Sequence, residues 1–200
     1  MIKAVIIDLD GTTLPRNWHQ ISKENRDALE KAGRQGIIRI LATGRSVFSL
    51  NNTLPEGLPI DYMVFSSGAG IMHWDDKKIL LTRELSTEET LEIATHLWKY
   101  DINFTIQQRI PDNHHFYYRN ISSFHEDFRR RIENYPGLGT PISSIDEIQG
   151  GATQFLVILD AKQLQLHGDI QQKLSTYSVI RSTSPIDNQA IWTEVFAPDV

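Results

Sequence analysis

The sequence predicts an α/β protein: a parallel sheet, with a second block of mixed strands and helices set into it. Three observations carry this expectation. Up to residue 66, short apolar runs of strand length alternate with stretches of helical pattern, the arrangement that produces βαβ units and a parallel sheet. The first two runs stop abruptly in small polar residues, at Asp8, Leu9, Asp10, Gly11 and Thr12, and again at Thr43, Gly44 and Arg45. From about residue 83 the order changes, and strands and helices no longer alternate in the parallel manner.

The first run, residues 4–7, is apolar on both alternating positions, which suits a strand buried on both faces of a parallel sheet. Asp8 and Asp10 then point the same way at its carboxyl end, where open α/β sheets place their ligands. Gly11 lets the chain break into a loop. Ser22 reads as the N-cap of a helix running to about Ala32, with Gly33 and Gly36 ending it. Residues 37–42 form the second buried-strand candidate and 46–54 a short helix closed by Pro55 and Gly57. Residues 61–66 form the third strand, followed by Ser67, Gly68 and Ala69. Residues 71–81 read as a hairpin turning at Asp75, Asp76, Lys77 and Lys78, whose carboxylates are those of a solvated turn.

The second block opens with a capping box, Ser86 with Glu89, and a helix carrying Leu91, Ala94, Leu97 and Trp98 at helical spacing. Residues 103–107 and 116–119 read as strands. A second capping box, Ser123 with Glu126, opens a helix to about Tyr135, and residues 136–141 form a loop. Residues 154–159 make a strong strand, 163–174 a helix and 179–182 another strand. Residues 191–196 read as a strand returning to the first sheet. The expected division is a parallel-sheet part at 1–82, an inserted α+β block at 83–188, and the return strand within 189–200. His114 and His115 invite a metal reading, but neighbours on a strand face opposite ways and do not easily share one ion, so they are read as loop or surface histidines. Trp18, Trp74, Trp98 and Trp192 are expected to pack, and Asp187, Asn188 and Gln189 to form an Asx turn.

Two carboxylates at one strand end repel, so such a pair calls for a cation or a shared proton, and a hard oxygen-liganded ion such as Mg²⁺ suits it. As a bare pattern, Asp-x-Asp-Gly describes an acidic strand-to-turn transition equally well. Thr43 and the backbone N–H groups of Gly44 and Arg45, at the next strand end, can hydrogen-bond a phosphoryl oxygen, and the helix start beside them adds a favourable dipole. Thr43 is also a plausible N-cap and Arg45 a plausible surface ion-pair partner.

Together these residues resemble the phosphatase signature of the haloacid dehalogenase-like superfamily, an apolar strand ending in Asp-x-Asp-Gly-Thr. The Thr-Gly-Arg form of the second motif is similar to the Cof-type, or type IIB sugar-phosphatase-like, branch. There the turn after the third strand is commonly Asn-Gly-Ala, and here it begins with Ser67. A second departure is Thr13, where relatives commonly have an apolar residue. The resemblance implies a Rossmann-like core with an inserted α+β cap that closes over the site and chooses the substrate. It makes Asp8 the nucleophile that becomes an aspartyl phosphate, and Asp10 the general acid and then base. It places Mg²⁺ on the Asp8 side chain and the Asp10 backbone carbonyl, and the phosphoryl group against Thr43, Gly44, Arg45, Gly11 and Thr12. The implied reaction is hydrolysis of a small phosphorylated metabolite, plausibly a sugar phosphate. A phosphomutase or phosphotransferase on the same scaffold, or a non-catalytic binding module, are the alternatives.

Composition narrows the classes. The 200 residues carry a net charge of −5, with 40% hydrophobic and 22% charged residues, as in an ordinary globular protein. No basic patterning points to nucleic acid, Arg129, Arg130 and Arg131 reading as a solvated helix face. The absence of cysteine excludes disulfides and thiolate metal sites. No apolar run approaches the ~20 residues that span a bilayer, and with the first strand starting next to Met1 a cytoplasmic location is expected. Oligomeric state is not legible. The family's lysine and later acidic motif find no match after residues 191–196, so the resemblance implies an N-terminal part of a longer phosphatase. The core is then expected to be short of strands at its C-terminal end, with exposed apolar surface, and inactive alone.

Overall fold

The computed structural model describes residues 2–15, 20–55, 57–121, 126–184 and 190–200. Two units divide the chain, Met1–Thr82 and Arg83–Val200, each with its own sheet. Trp18, Ser123, Asp187, Asn188 and Gln189 lie outside the described residues. Among the described residues no helix is long and apolar enough to cross a membrane.

In the first unit β1 (Ala4–Asp8), β2 (Ile38–Ala42) and β3 (Tyr62–Phe65) pair in parallel, neighbour to neighbour in chain order. β4 (Gly70–His73) and β5 (Ile79–Thr82) continue the sheet antiparallel, as the hairpin pattern predicts. The crossovers are α1 (Lys23–Arg34) and α2 (Val47–Thr53), opened by Ser22 and Ser46, whose hydroxyls accept from the backbone N–H of Asn25 and Ser49. Right-handed crossovers between strands laid down in one direction deliver both helices to the same face. Ile7, Leu41, Met63 and Met72 are opposite one another on one face, and the last three are buried. The other face carries Ile6 at 70% exposure and Ile38 at 43%.

The strand at residues 4–7 is therefore not buried on both sides. It is the edge of its sheet among the described residues, with Ala4, Ile6 and Asp8 exposed in alternation. Residues 38–42 differ from expectation in the same way, Ile38 being exposed while Leu41 is buried. Apolar residues on both faces made the strands look double-sided, but the crossovers supply helices to one side only. Gly33 also departs from its reading as a helix stop. It lies inside α1, and a Cβ there would come within 2.5 Å of Arg39 Nη1, so the guanidinium would have to shift. Gly36, at φ +71°, makes the turn instead.

Arg39 ties β2 to the residue preceding β3. Its backbone N–H and Nε donate to Asp61 Oδ2 at 2.7 and 3.0 Å, and Nη2 donates to Oδ1 at 2.7 Å. These donors hold the Asp61 carboxyl below its ordinary 3.8, the Arg39 side chain being the largest cause. A depressed carboxylate stabilises the fold above its unfolded pKa and loses that contribution as pH falls through the folded one.

The second unit is a six-stranded sheet in the order β10-β11-β9-β6-β7-β8. Its strands are β6 (Phe104–Gln107), β7 (Phe116–Arg119), β8 (Gly139–Pro141), β9 (Gln154–Leu159), β10 (Ser178–Thr183) and β11 (Ile191–Phe196), and its helices α3 (Thr87–Trp98), α4 (Glu126–Glu133) and α5 (Leu164–Lys173). The Ser86–Glu89 capping box forms in full. Ile93, Ala94 and Leu97 of α3 and Ile170 of α5 pack with Phe104, Ile106, Phe155, Val157 and Val195. Phe128 of α4 packs with Leu156, Ile158 and Trp192. Residues 139–141, expected as loop, pair with β7 in parallel.

The last strand corrects the expected organisation. β11 does not return to the first sheet but lies between β10 and β9, antiparallel to both. The short link from β10 suits an antiparallel neighbour, whereas a parallel return would need a crossover of a dozen residues or more. β11 is buried on both alternating positions, with Trp192 on one face and Val195 on the other. His114 and His115 sit in a turn, as loop histidines, with ring centroids 4.3 Å apart. Trp74 lies under Lys77 Nζ, and Trp98 packs edge-on to Phe104.

α4 is fixed to its sheet by a buried carboxylate. Asp127, with no exposed surface, accepts from Trp192 Nε1 at 2.6 Å and from Ser184 Oγ at 3.0 Å.

Two stability outcomes follow. Asp61→Asn is expected to lower unfolding free energy by about 1–2 kcal/mol at neutral pH, and urea melts should show the gap to wild type closing as pH drops below about 4. Asp127→Ala strands the Trp192 N–H in the core and is expected to cost about 3 kcal/mol. Thermal unfolding of the two proteins checks it, and equal midpoints would contradict that account of α4.

Candidate active site

Parallel pairing brings three strand ends to one edge of the first sheet. Asp8 closes β1 opposite Ala42 of β2, Thr43 follows at once, and Ser66 follows β3. The loops are tied across: Leu9 N–H donates to Ala42 O, Thr43 N–H to Val64 O, Ser67 N–H to Thr43 O and Ser66 N–H to Arg45 O.

The first loop is a tight turn. Leu14 N–H donates to Leu9 O at 2.7 Å, and Gly11 N–H to Leu14 O at 2.8 Å. Gly11 takes φ +80°, a left-handed conformation that favours glycine. Its N–H is spent inside the turn, so Gly11 shapes the loop and does not present a donor outward. This departs from its expected phosphate-binding role. Thr12 Oγ1 donates to Asp8 Oδ2 at 2.9 Å, fixing the carboxylate.

Thr13 gains a function that sequence reading missed. It is buried, and its hydroxyl donates to the Asp8 carbonyl at 2.8 Å. Its own carbonyl accepts from Asn25 Nδ2 of α1 at 3.2 Å. The polar residue at this position thus anchors the loop to the helix.

Asp10 meets the second strand end. Its Oδ2 accepts from Thr43 Oγ1 at 2.8 Å. Its Oδ1 accepts from Arg45 Nε at 2.8 Å and lies 2.7 Å from Arg45 Nη2. Arg45 N–H donates to Thr43 Oγ1 at 3.2 Å, so that hydroxyl both gives and receives. Thr43 is buried, while the Asp10 and Arg45 side chains are 45% and 28% exposed. Arg45, a plausible surface ion-pair partner from sequence, is an ion-pair partner of the second carboxylate itself.

The third loop contributes a less expected feature. Ser66 and Ser67 both adopt positive φ, 50° and 56°, ahead of Gly68 at 105°. Two non-glycine residues in this region are uncommon and are held by the cross-loop bonds to Arg45 and Thr43. A Cβ on Gly44 would lie 3.4 Å from Ser67 Oγ, so the Thr43–Arg45 and Ser66–Gly68 loops meet at this glycine. The sequence signal was available only as the turn-forming pair Ser67 and Gly68.

The site therefore holds two carboxylates on one loop, each fixed by a hydroxyl, with a guanidinium and further backbone donors on the next. That set can present an oxygen nucleophile, a second carboxylate for proton transfer, and cationic and hydroxyl groups for an oxyanion. Among the described residues no three His, Asp or Glu side chains gather as a metal cage.

Known proteins resemble this chain in sequence and in fold. The chain is 33% identical over 106 residues to the 5-amino-6-(5-phospho-D-ribitylamino)uracil phosphatase YwtE of Bacillus subtilis, a match covering 52% of this chain and 35% of that protein. It spans about a third of the length of this and another Bacillus phosphatase it matches. The fold superposes on phosphatase BT1666 of Bacteroides thetaiotaomicron with a TM-score of 0.73 at 19% identity, covering 100% of this chain and 68% of that one. The subclass IIB sugar phosphatase BT4131 superposes with a TM-score of 0.64 at 17% identity, covering 99% and 71%. Residues 5–188, which include both carboxylates and the Thr43 loop, match the family as a whole, and the chain belongs to the haloacid dehalogenase-like hydrolases.

Proposed function

We propose that this chain carries the phosphoryl-attacking site of a Mg²⁺-dependent phosphatase of the Cof type, acting on a small phosphorylated metabolite such as a sugar phosphate. The observation that carries this reading is the meeting of Asp8, Asp10, Thr43 and Arg45 at the carboxyl ends of adjacent parallel strands. Similarity to named phosphatases supports it.

In this reading Asp8 is the nucleophile. Thr12 holds Oδ2, and Oδ1 attacks phosphorus, forming an aspartyl phosphate as the bond to the leaving oxygen breaks. Asp10 gives its proton to that oxygen, then takes one from the water that hydrolyses the acyl phosphate and releases inorganic phosphate. Thr43, the Gly44 backbone and Arg45 receive the phosphoryl oxygens. Gly11 and Thr12 act through the loop, by setting the turn and orienting Asp8. The second unit serves as the cap that selects the substrate.

The donor set fits Mg²⁺, which binds through one or two carboxylates while keeping waters and substrate oxygens as its other ligands. The Asp8 carboxylate and the Asp10 backbone carbonyl would hold it, and its charge would screen an incoming dianion from Asp8. One carboxylate and one carbonyl oxygen would leave its other positions to waters and substrate oxygens.

The full-length gene product, assayed against a panel of phosphometabolites, is expected to release phosphate, with Asp8→Asn reducing turnover at least about 10³-fold. Equal turnover by the two proteins would end the nucleophile assignment. Chelation with EDTA is expected to abolish turnover and added Mg²⁺ to restore it, whereas activity indifferent to chelator would contradict the metal role.

A further inference from the structure

Both groups expected to receive the phosphoryl oxygens are already occupied by a protein carboxylate. Thr43 Oγ1 has one proton, and it donates it to Asp10 Oδ2. The Arg45 fork is turned onto Asp10 Oδ1 through Nε and Nη2. The Asp10 carboxylate thus sits on the same hydroxyl and guanidinium that an oxyanion needs.

We propose that Asp10 is an internal placeholder for the phosphoryl group, and that Arg45 is the positioning residue that holds it there until a phosphoryl dianion takes its place. The inference rests on the phosphatase reading above and concerns how that same site is regulated. In the resting form Asp10 is parked on Thr43 and Arg45. A phosphoryl group arriving between the strand ends competes for both donors, and a dianion competes more strongly than a single carboxylate. The exchange frees Asp10, one loop residue from the turn glycine Gly11; released from the guanidinium, its carboxylate takes a proton from solvent water and carries it to the leaving oxygen. Binding of the phosphoryl group and release of the acid/base are then one event.

Three observations favour exchange over a static pair. The Asp10 and Arg45 side chains are 45% and 28% exposed, so neither must leave a packed core to move. The two loops are held by main-chain bonds that do not involve the exchanging side chains, so the scaffold persists while they swap. Thr43 Oγ1 also accepts from Arg45 N–H, which keeps the hydroxyl in place when its own proton turns from Asp10 to the incoming oxygen.

The test uses inorganic phosphate as the probe, with Mg²⁺ in the buffer, and reads binding rather than turnover. In wild type, titration is expected to move the Arg45 Nε–Hε resonance and the Asp10 carboxyl carbon with one midpoint. Movement of Arg45 with Asp10 unperturbed overturns the exchange. A double-mutant cycle gives the second readout. Asp10→Ala removes the competitor and is expected to tighten phosphate binding roughly 3- to 10-fold. In an Arg45→Gln background the same change should give under about twofold, because only competition for the Thr43 hydroxyl and simple charge repulsion remain. An equal gain in both backgrounds overturns the placeholder role while leaving the phosphatase reading intact. Phosphate binding by none of the four proteins, each shown folded by circular dichroism, overturns that reading and the exchange with it.

Discussion

Parallel pairing of β1 to β2 to β3 is the constraint on which the site depends. Strands that run the same way end on the same edge, and the register that sets Asp8 opposite Ala42 carries Thr43 and Arg45 to Asp10. The second carboxylate is far from its partners in sequence: Asp10 and Thr43 are separated by α1 and all of β2. The same pairing creates the problem the site must solve, since two carboxylates on one short loop repel. The structure answers with a hydroxyl for each and a guanidinium for the second.

The sheet beneath the site is covered unequally. Crossovers of one hand put their helices on one face, and Leu41, Met63 and Met72 are buried there. The opposite face keeps Ile6 and Ile38 exposed, apolar surface of a kind that parallel sheets usually cover. Away from the strand ends, the Arg39–Asp61 fork locks β2 to β3. Its guanidinium lies against Gly33 of α1, where a Cβ would displace it. In the second unit order rests on two adjacent inner strands, β9 and β11, with α3 and α5 on one face and α4 pinned by Asp127 on the other.

Much of this was legible before any coordinates. Ser22 and Ser86 stand where N-caps must, because the first turn of a helix needs acceptors for its free N–H groups. The hairpin at β4 and β5 followed from its turn residues. Less was legible where the partner of a segment decides its state. Residues 191–196 have a strand pattern that either sheet could use, and pairing with β10 and β9 settled the matter. Residues 139–141 contain a glycine and a proline and still join the edge of a sheet, because β7 offers a free side.

By itself the sequence determined the local chemistry of this protein: an apolar strand ending in Asp8 and Asp10, a glycine that must turn, a Thr-Gly-Arg loop after the next strand, and the caps that start the helices. Those depend on interactions within a few residues, which spacing encodes directly. Tertiary structure decided how the pieces engage one another. It joined Thr13, through its carbonyl, to Asn25 of α1, put Ser66 and Ser67 into left-handed conformations, and set Arg45 on Asp10. Each of these involves a hydrogen bond or charge pair whose partner is chosen by the folding of the loops and strand ends, which no residue pattern records.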